Sequence, residues 1–261
     1  MKTVNSKDGT PIAFDQSGQG PALILVTGAF TTRADWSSLA ASLAPHFSVF
    51  NYDRRGRGES GDTMPYAVER EIEDIDALIT VAGAPAFLYG HSSGAALAME
   101  AAIKLGDKVK KLAMYEAPYD DDPEAQRTWG AYIQQLTEAL AAGRRGDAVV
   151  LFMQYVGTPA EHIQAMRQTP VWPALEAIAP TLAYDHTYII GKNRSVPVER
   201  AAQVRVPTLV MNGSASFPFM YETARMLSNA IPHAEHLTLE GQTHGPAIDV
   251  LVPVLTEFFL G

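Results

Sequence analysis

The feature that most constrains this chain is an apolar run, a tight turn and a small-residue helix placed end to end. Ala86-Phe87-Leu88-Tyr89 leads into Gly90-His91-Ser92-Ser93-Gly94, and a stretch rich in Ala, Leu and Met follows to Leu105. The apolar run is too short for a helix and reads as a strand covered on both faces. Where such strand-to-helix units alternate along a chain, they argue a mostly parallel sheet with helices on both faces. The turn itself has the pattern G-x-S-x-G. Flanking glycines let a serine occupy a strained backbone conformation while the outgoing helix packs close to the strand.

The rest of the chain repeats that alternation. TVNS and PIAFDQ around Lys7-Asp8-Gly9 read as a hairpin, and ALILVT (22–27) and FSVFNY (47–52) as buried strands. Asp35 is the expected cap of a short helix ending at Leu43. Val68, Ile72, Ile75 and Ile79 recur at helical spacing. VKKLAMY (109–115), PTLVM (207–211) and HAEHLTL (233–239) supply further strands. Helices are expected at about Tyr221–Ala230 and Ile248–Phe259. The expectation is an α/β fold, with a mostly parallel central sheet and helices on both faces.

Residues 119–200 break the rhythm. They carry no comparable strand, one clear apolar stripe at Ile133, Leu136 and Leu140, and 5 of the 10 Tyr with 2 of the 3 Trp. They read as a helical cap inserted after the sixth strand, dividing the core into 1–118 and 201–261.

Bulk composition removes several function classes. A formal charge of −9 disfavours nucleic acid and anionic membrane surfaces. The absence of Cys rules out disulfides, thiol catalysis and thiolate metal sites. Neither an apolar leader nor a run of membrane-spanning length is visible, so a cytoplasmic protein acting on a small molecule is the expectation, its oligomeric state left open.

Two apparent motifs carry little. Gly56-Arg57-Gly58-Glu59-Ser60-Gly61 satisfies G-x-G-x-x-G, but a dinucleotide site needs a helix opening at its third glycine, and Asp62-Thr63-Met64-Pro65 intervenes. His233 and His236, read as three apart on a strand, would point to opposite faces and could not share a metal. No metal or other cofactor is expected.

Ser92, raised on its turn above the sheet at the N-terminus of a helix, is the candidate nucleophile. The dipole end and the Ser93 backbone N–H are placed to stabilise an oxyanion. At this point the chain resembles the α/β-hydrolase superfamily over nearly its whole length, and three more stretches match in order. Thr27-Gly28-Ala29-Phe30 follows the ALILV strand where the superfamily has His-Gly and then an oxyanion-hole residue. The resemblance makes Ala29 N–H the second donor, although Thr27 replaces that His. Asp53-Arg54-Arg55-Gly56-Arg57-Gly58-Glu59-Ser60 resembles the D-x-R-G-x-G-x-S loop, and Gly241-Gln242-Thr243-His244 stands where the superfamily keeps its catalytic histidine. His244, in a loop after the last strand, is accordingly the candidate base, with His186 as the one rival.

The expected acid is missing from its usual place. No Asp or Glu occurs between Glu199 and Glu222, and Asn212-Gly213-Ser214-Ala215-Ser216-Phe217-Pro218 offers only the hydroxyls of Ser214 and Ser216, which are expected to matter little. Glu116, the first residue after VKKLAMY, lies at the same end of a parallel sheet as Ser92. Some superfamily members, including certain haloalkane dehalogenases, are similar in placing their acid there. Asp120, Asp121 and Asp122 read as a solvated loop. The implied chemistry is acyl transfer on an apolar ester, lactone or thioester in a pocket near Phe30, Trp129, Tyr155, Trp172 and Phe217, with most cap aromatics packing the helices together. The alternatives are the same triad used for C–C hydrolysis, lyase or perhydrolase chemistry of the non-haem chloroperoxidase kind, and a non-catalytic ligand-binding member.

Overall fold

The computed structural model describes residues 1–261. The hairpin forms as β1 (Lys2–Asn5) and β2 (Pro11–Ser17), and the buried runs as β3 (Ala22–Val26), β4 (Ser48–Tyr52), β5 (Ala86–His91), β6 (Val109–Tyr115), β7 (Thr208–Gly213) and β8 (Ala234–Leu239). They make one eight-stranded sheet in the order β1-β2-β4-β3-β5-β6-β7-β8. The β1–β2 and β2–β4 pairs are antiparallel, and every other pair is parallel. All five residues of β3 are buried, as a strand covered on both faces requires.

Helices cover both faces. α1 (Ser37–Leu43) and α11 (Ile248–Leu260) pack over one face, where Leu43, Phe47 and Leu255 are sealed from solvent. α2 (Val68–Ala82), α3 (Ser93–Leu105) and α10 (Pro218–Ala230) pack over the other. The apolar stripe of α2 is buried at Ile72, Ile75, Leu78 and Ile79, but Glu71 and Asp74 are buried with it. Two fully buried arginines explain them. Arg54 grips Glu71 through two bonds of 2.7 Å, and Arg55 grips Asp74 at 2.8 and 2.7 Å. Paired planar forks of this kind let charges sit inside a core.

Between β6 and β7 the chain is helical: α4 (Pro123–Ala141), α5 (Arg145–Tyr155), α6 (Ala160–Arg167), α7 (Trp172–Ile178), the short α8 (Thr181–Ala183), a π-helical turn over Tyr184–Ile189, and α9 (Val198–Ala201). Asp122 starts α4, accepting the N–H groups of Glu124 and Ala125, with Pro123 as the first helical residue.

Several local expectations need correction. Asp35 does not cap the first short helix. A 3₁₀ turn opens at Arg33, and the Asp35 carboxylate reaches back to the N–H and hydroxyl of Thr32 (2.8 and 3.0 Å), the reciprocal half of a capping box. α10 begins at Pro218, three residues earlier than expected, because the fixed φ of proline suits a first turn. β8 begins at Ala234, so His233 lies outside it. Asp120 is buried rather than solvated. No helix is long and apolar enough to cross a membrane.

Candidate active site

The parallel strands β5, β6 and β7 bring their C-terminal ends to one side of the sheet, and the candidate residues gather there. Ser92 stands between β5 and α3 at φ 56° and ψ −129°. Its N–H donates to the Tyr115 carbonyl (2.8 Å), pinning the turn to the end of β6. Glycine is required beside it on steric grounds. A Cβ on Gly94 would lie 2.2 Å from the Val26 carbonyl oxygen, and one on Gly90 would lie 2.5 Å from that of Gly94.

Glu116 also has a left-handed backbone, φ 50°, and its N–H donates to the Met211 carbonyl (3.0 Å). Its carboxylate is shut away from solvent and takes three bonds. Oε1 accepts the Gly213 N–H at 2.8 Å, Oε2 accepts the Ser216 hydroxyl at 2.8 Å, and Oε2 lies 2.6 Å from His244 Nδ1. The acid-free loop after β7 thus cradles an acid delivered by β6, and Ser216 is tied to it rather than incidental. Ser214 instead accepts the Gly241 N–H (2.7 Å), which holds the histidine loop.

His91 anchors that loop as well, a role its place in the turn did not reveal. Its Nε2 donates to the His244 carbonyl (2.7 Å), and its ring lies parallel to Tyr115, whose hydroxyl donates to the Thr243 carbonyl (2.5 Å). Burial, with His244 beside it, pushes the His91 imidazole down to about 3, so it is neutral and Nε2 carries the proton as a fixed donor. The structure joins Glu116 to His244 and sets His244 and Ser92 on the wall of one cavity, but forms no Ser92–His244 hydrogen bond. Such contacts are often long without substrate.

Across from the turn, Gly28 comes so near that a Cβ there would sit 3.1 Å from Ser92 Cβ. The adjacent Ala29 N–H donates to no group of the protein. Ser93 is the first residue of α3, so its N–H has no partner within the helix. Two free N–H groups therefore flank the serine. The loop carrying one of them is held from behind: Arg57 Nη1 donates to the Gly28 carbonyl (2.8 Å), and Arg54 Nη1 to that of Thr27 (3.1 Å).

Sequence reading missed the residue that gathers these arginines. Asp185, fully buried in the π-helical turn, accepts from Arg54 (2.7 Å), Arg57 (2.5 Å) and the Ser93 hydroxyl (2.8 Å). Burial alone would raise its carboxyl, but the two guanidinium groups outweigh that and hold it below the usual carboxylate range. No signal in the sequence pairs it with partners 92 to 131 residues away. The neighbouring His186 is not placed as a rival base: burial pushes it down to about 4, and its Nδ1 is bonded to the Tyr132 hydroxyl (2.8 Å).

The cavity has a volume of about 780 Å³. Trp129, Tyr155 and Phe217 line it, as does Phe152, while Phe30 and Trp172 do not. Phe30, at φ 62°, turns its ring against Phe152 (5.3 Å between centroids), leaving Ala29 and Thr31 on the wall. Trp172 is buried under the Arg167 guanidinium, 5.4 Å from its ring. No group of three His, Asp or Glu side chains has metal-binding geometry.

An eight-stranded, mostly parallel sheet with a serine on a strand-to-helix turn and a histidine after the last strand defines an α/β-hydrolase architecture. The chain belongs to the alpha/beta hydrolase family, whose model matches residues 23–249. Over 201 residues it is 34% identical to N-formylmaleamate deformylase from Pseudomonas putida, an alignment spanning 74% of this chain and 70% of that protein. Its fold matches that of an alpha/beta hydrolase from Sphaerobacter thermophilus at a TM-score of 0.85, with 50% identity over 99% of this chain and all of the other. The enol-lactonase from Burkholderia xenovorans shares the fold (TM-score 0.70, 21% identity, full coverage of both chains).

Proposed function

We propose that this hydrolase works through an acyl-enzyme formed on Ser92, with His244 as general base and Glu116 as the acid that orients it. Glu116 Oε2 fixes the proton on His244 Nδ1, leaving Nε2 to take the Ser92 proton and later return it to the leaving group. Ala29 and Ser93 N–H groups receive the developing oxyanion, and water then releases the acid. Residues 119–200 act as a cap that supplies Trp129, Phe152 and Tyr155 to the aromatic wall. The substrate class is a small carboxylic ester, lactone or thioester, in keeping with a cavity walled by Trp129, Phe152, Tyr155 and Phe217.

The observation that carries this reading is the buried Glu116 carboxylate 2.6 Å from His244, on the same side of the sheet as a strained serine flanked by free N–H groups. The test is labelling by a fluorophosphonate probe together with turnover of short p-nitrophenyl esters. Both should vanish in Ser92→Ala; labelling that persists in that variant refutes the assignment.

The 34% identical deformylase favours a second reading, hydrolysis of an N-formyl amide by the same groups. Formate release from N-formyl amides, compared with ester turnover by the same preparation, distinguishes the two.

A further inference from the structure

Arg194 is a buried guanidinium on the wall of the cavity that holds Ser92, and the acyl-transfer mechanism leaves it unused. The other buried arginines, Arg54, Arg55 and Arg57, each hold a carboxylate at 2.5–3.0 Å. Arg194 holds none within hydrogen-bond reach. Its Nε donates to the Pro118 carbonyl (2.7 Å) and its Nη1 to the Tyr155 hydroxyl (2.6 Å). Its one acidic neighbour, Asp120 Oδ2, stands 3.9 Å from Nη2, beyond hydrogen-bond reach, while Asp120 Oδ1 accepts the Asp122 N–H. A guanidinium has five N–H groups in a planar fork. Two are engaged, and the second Nη1 proton and both on Nη2 have no acceptor in the protein. Nη2 is not sealed into the core either, and Arg194 lines the cavity.

The group is held ready rather than left loose. It stacks on Phe219 (4.4 Å to the ring centre) and lies near Trp129 (5.6 Å). Its backbone is left-handed, φ 57°, and its carbonyl is fixed by the Asp120 N–H (2.8 Å). The four non-glycine residues with such a backbone are Phe30, Ser92, Glu116 and Arg194. Ser92 and Arg194 line the cavity, Glu116 holds His244, and Phe30 packs against Phe152. Strain of this kind persists where surrounding structure holds a side chain in a required direction.

We infer that Arg194 receives a carboxylate of the substrate, so that the natural substrate is a half-acid, with a scissile acyl group at Ser92 and a free carboxylate at the guanidinium fork. The fork matches a carboxylate with two parallel N–H···O bonds. Asp120 balances the guanidinium while the site is empty, and its 3.9 Å separation leaves the fork's donors for a ligand. The other acid on the cavity wall, Glu124, is solvent-exposed at the start of α4, where water and salt screen its charge. This inference rests on the reading of Ser92 as nucleophile.

The test compares the mono-p-nitrophenyl esters of succinic, glutaric and adipic acids, each against the neutral ester in which an isopropyl group replaces the carboxylate, after subtracting spontaneous hydrolysis. The wild type should prefer at least one acid over its isostere by about tenfold or more in kcat/KM, the scale of one well-made charged contact. Arg194→Gln should erase most of that ratio, chiefly through KM. A wild type that prefers the neutral ester throughout the series overturns the inference, as does a ratio unchanged in Arg194→Gln. Should that variant misfold, competitive inhibition of the wild type by the free dicarboxylates against their dimethyl esters supplies the reading, and equal inhibition constants refute it. Esters still hydrolysed by Ser92→Ala would instead remove the nucleophile assignment.

Discussion

Replacing Glu116 by Gln tests the least conventional part of the proposed machinery. The side chain keeps its shape, but its surroundings present three donors: the Gly213 N–H, the Ser216 hydroxyl and His244 Nδ1–H. A carboxylate accepts all three, whereas an amide has one oxygen. If that oxygen keeps the Gly213 N–H, the amide nitrogen faces His244 and forces Nδ1 to become the acceptor. The proton then moves to Nε2, the nitrogen that should be taking one from Ser92. If the amide flips, two N–H groups meet at Gly213. The first arrangement removes the correct tautomer, the second sets two donors against each other, and both remove the negative charge that stabilises the imidazolium, a loss worth roughly 10⁴ in kcat in triads of this logic. That corresponds to about 5 kcal/mol of transition-state stabilisation. The assay is steady-state p-nitrophenyl ester turnover with the rate of fluorophosphonate labelling, alongside a thermal melt to show that the fold is intact. Ser216→Ala removes one of the three donors and leaves the charge, so a fall of about tenfold is expected, the scale of one hydrogen bond to a charged group. If Glu116→Gln stays folded and keeps turnover within tenfold of wild type (~1.4 kcal/mol) while Ser92→Ala is inactive, Glu116 is not the orienting acid.

Two further substitutions follow from the geometry. Gly94→Ala would set a methyl group 2.2 Å from the Val26 carbonyl oxygen and 2.4 Å from that of Thr27. The backbone must move, and the variant should lose labelling together with a clear drop in melting temperature; normal labelling would show that the turn has slack. The buried histidines predict a pH effect on stability. An unfolded imidazole takes up its proton near 6.5, whereas folded His186 waits until about 4 and His91 until about 3. Between those values the unfolded chain binds more protons, so the contribution is complete above 6.5 and drains away as pH falls, with a slope of up to about 1.4 kcal/mol per pH unit for each histidine. Urea unfolding between pH 7 and 5 should show this loss, offset in part by the buried Asp74 carboxyl, which burial raises to about 6, and His91→Gln should flatten it; a His91→Gln variant with the wild-type pH slope refutes the His91 assignment.

Much of the fold was legible because its strands are buried on both faces and so read as unbroken apolar runs. β3, β5 and β7 stand where ALILV, AFLY and TLVM place them. The site was legible to the extent that it follows from strand ends. Ser92 and Glu116 come directly after a strand and His244 lies in the loop that follows the last one, and a parallel sheet sends those ends to one side. Contacts between side chains far apart in the chain were not legible. The bonds from Asp185 to Arg54, Arg57 and Ser93 span 131, 128 and 92 residues, and leave no local pattern. Asp120 looked like part of an acidic, solvated triplet because burial depends on how the chain enters α4. Trp172 and Phe30 were misassigned to the cavity for a related reason. An aromatic residue declares that it will be covered, but the rotation of its helix or loop decides by what.

The Asp185 contacts bear on how such a chain can change over generations. One carboxylate from the helices between β6 and β7 accepts from two arginines that follow β4 and from a hydroxyl of the serine turn. Grafting a foreign helical segment onto this core would strand Arg54 with half its anionic partners and Arg57 with none, and stripping a buried charge of its partner costs about 3–5 kcal/mol. The segment is therefore poorly interchangeable as a module. New specificities are more accessible one side chain at a time along the cavity wall than by exchange of the whole.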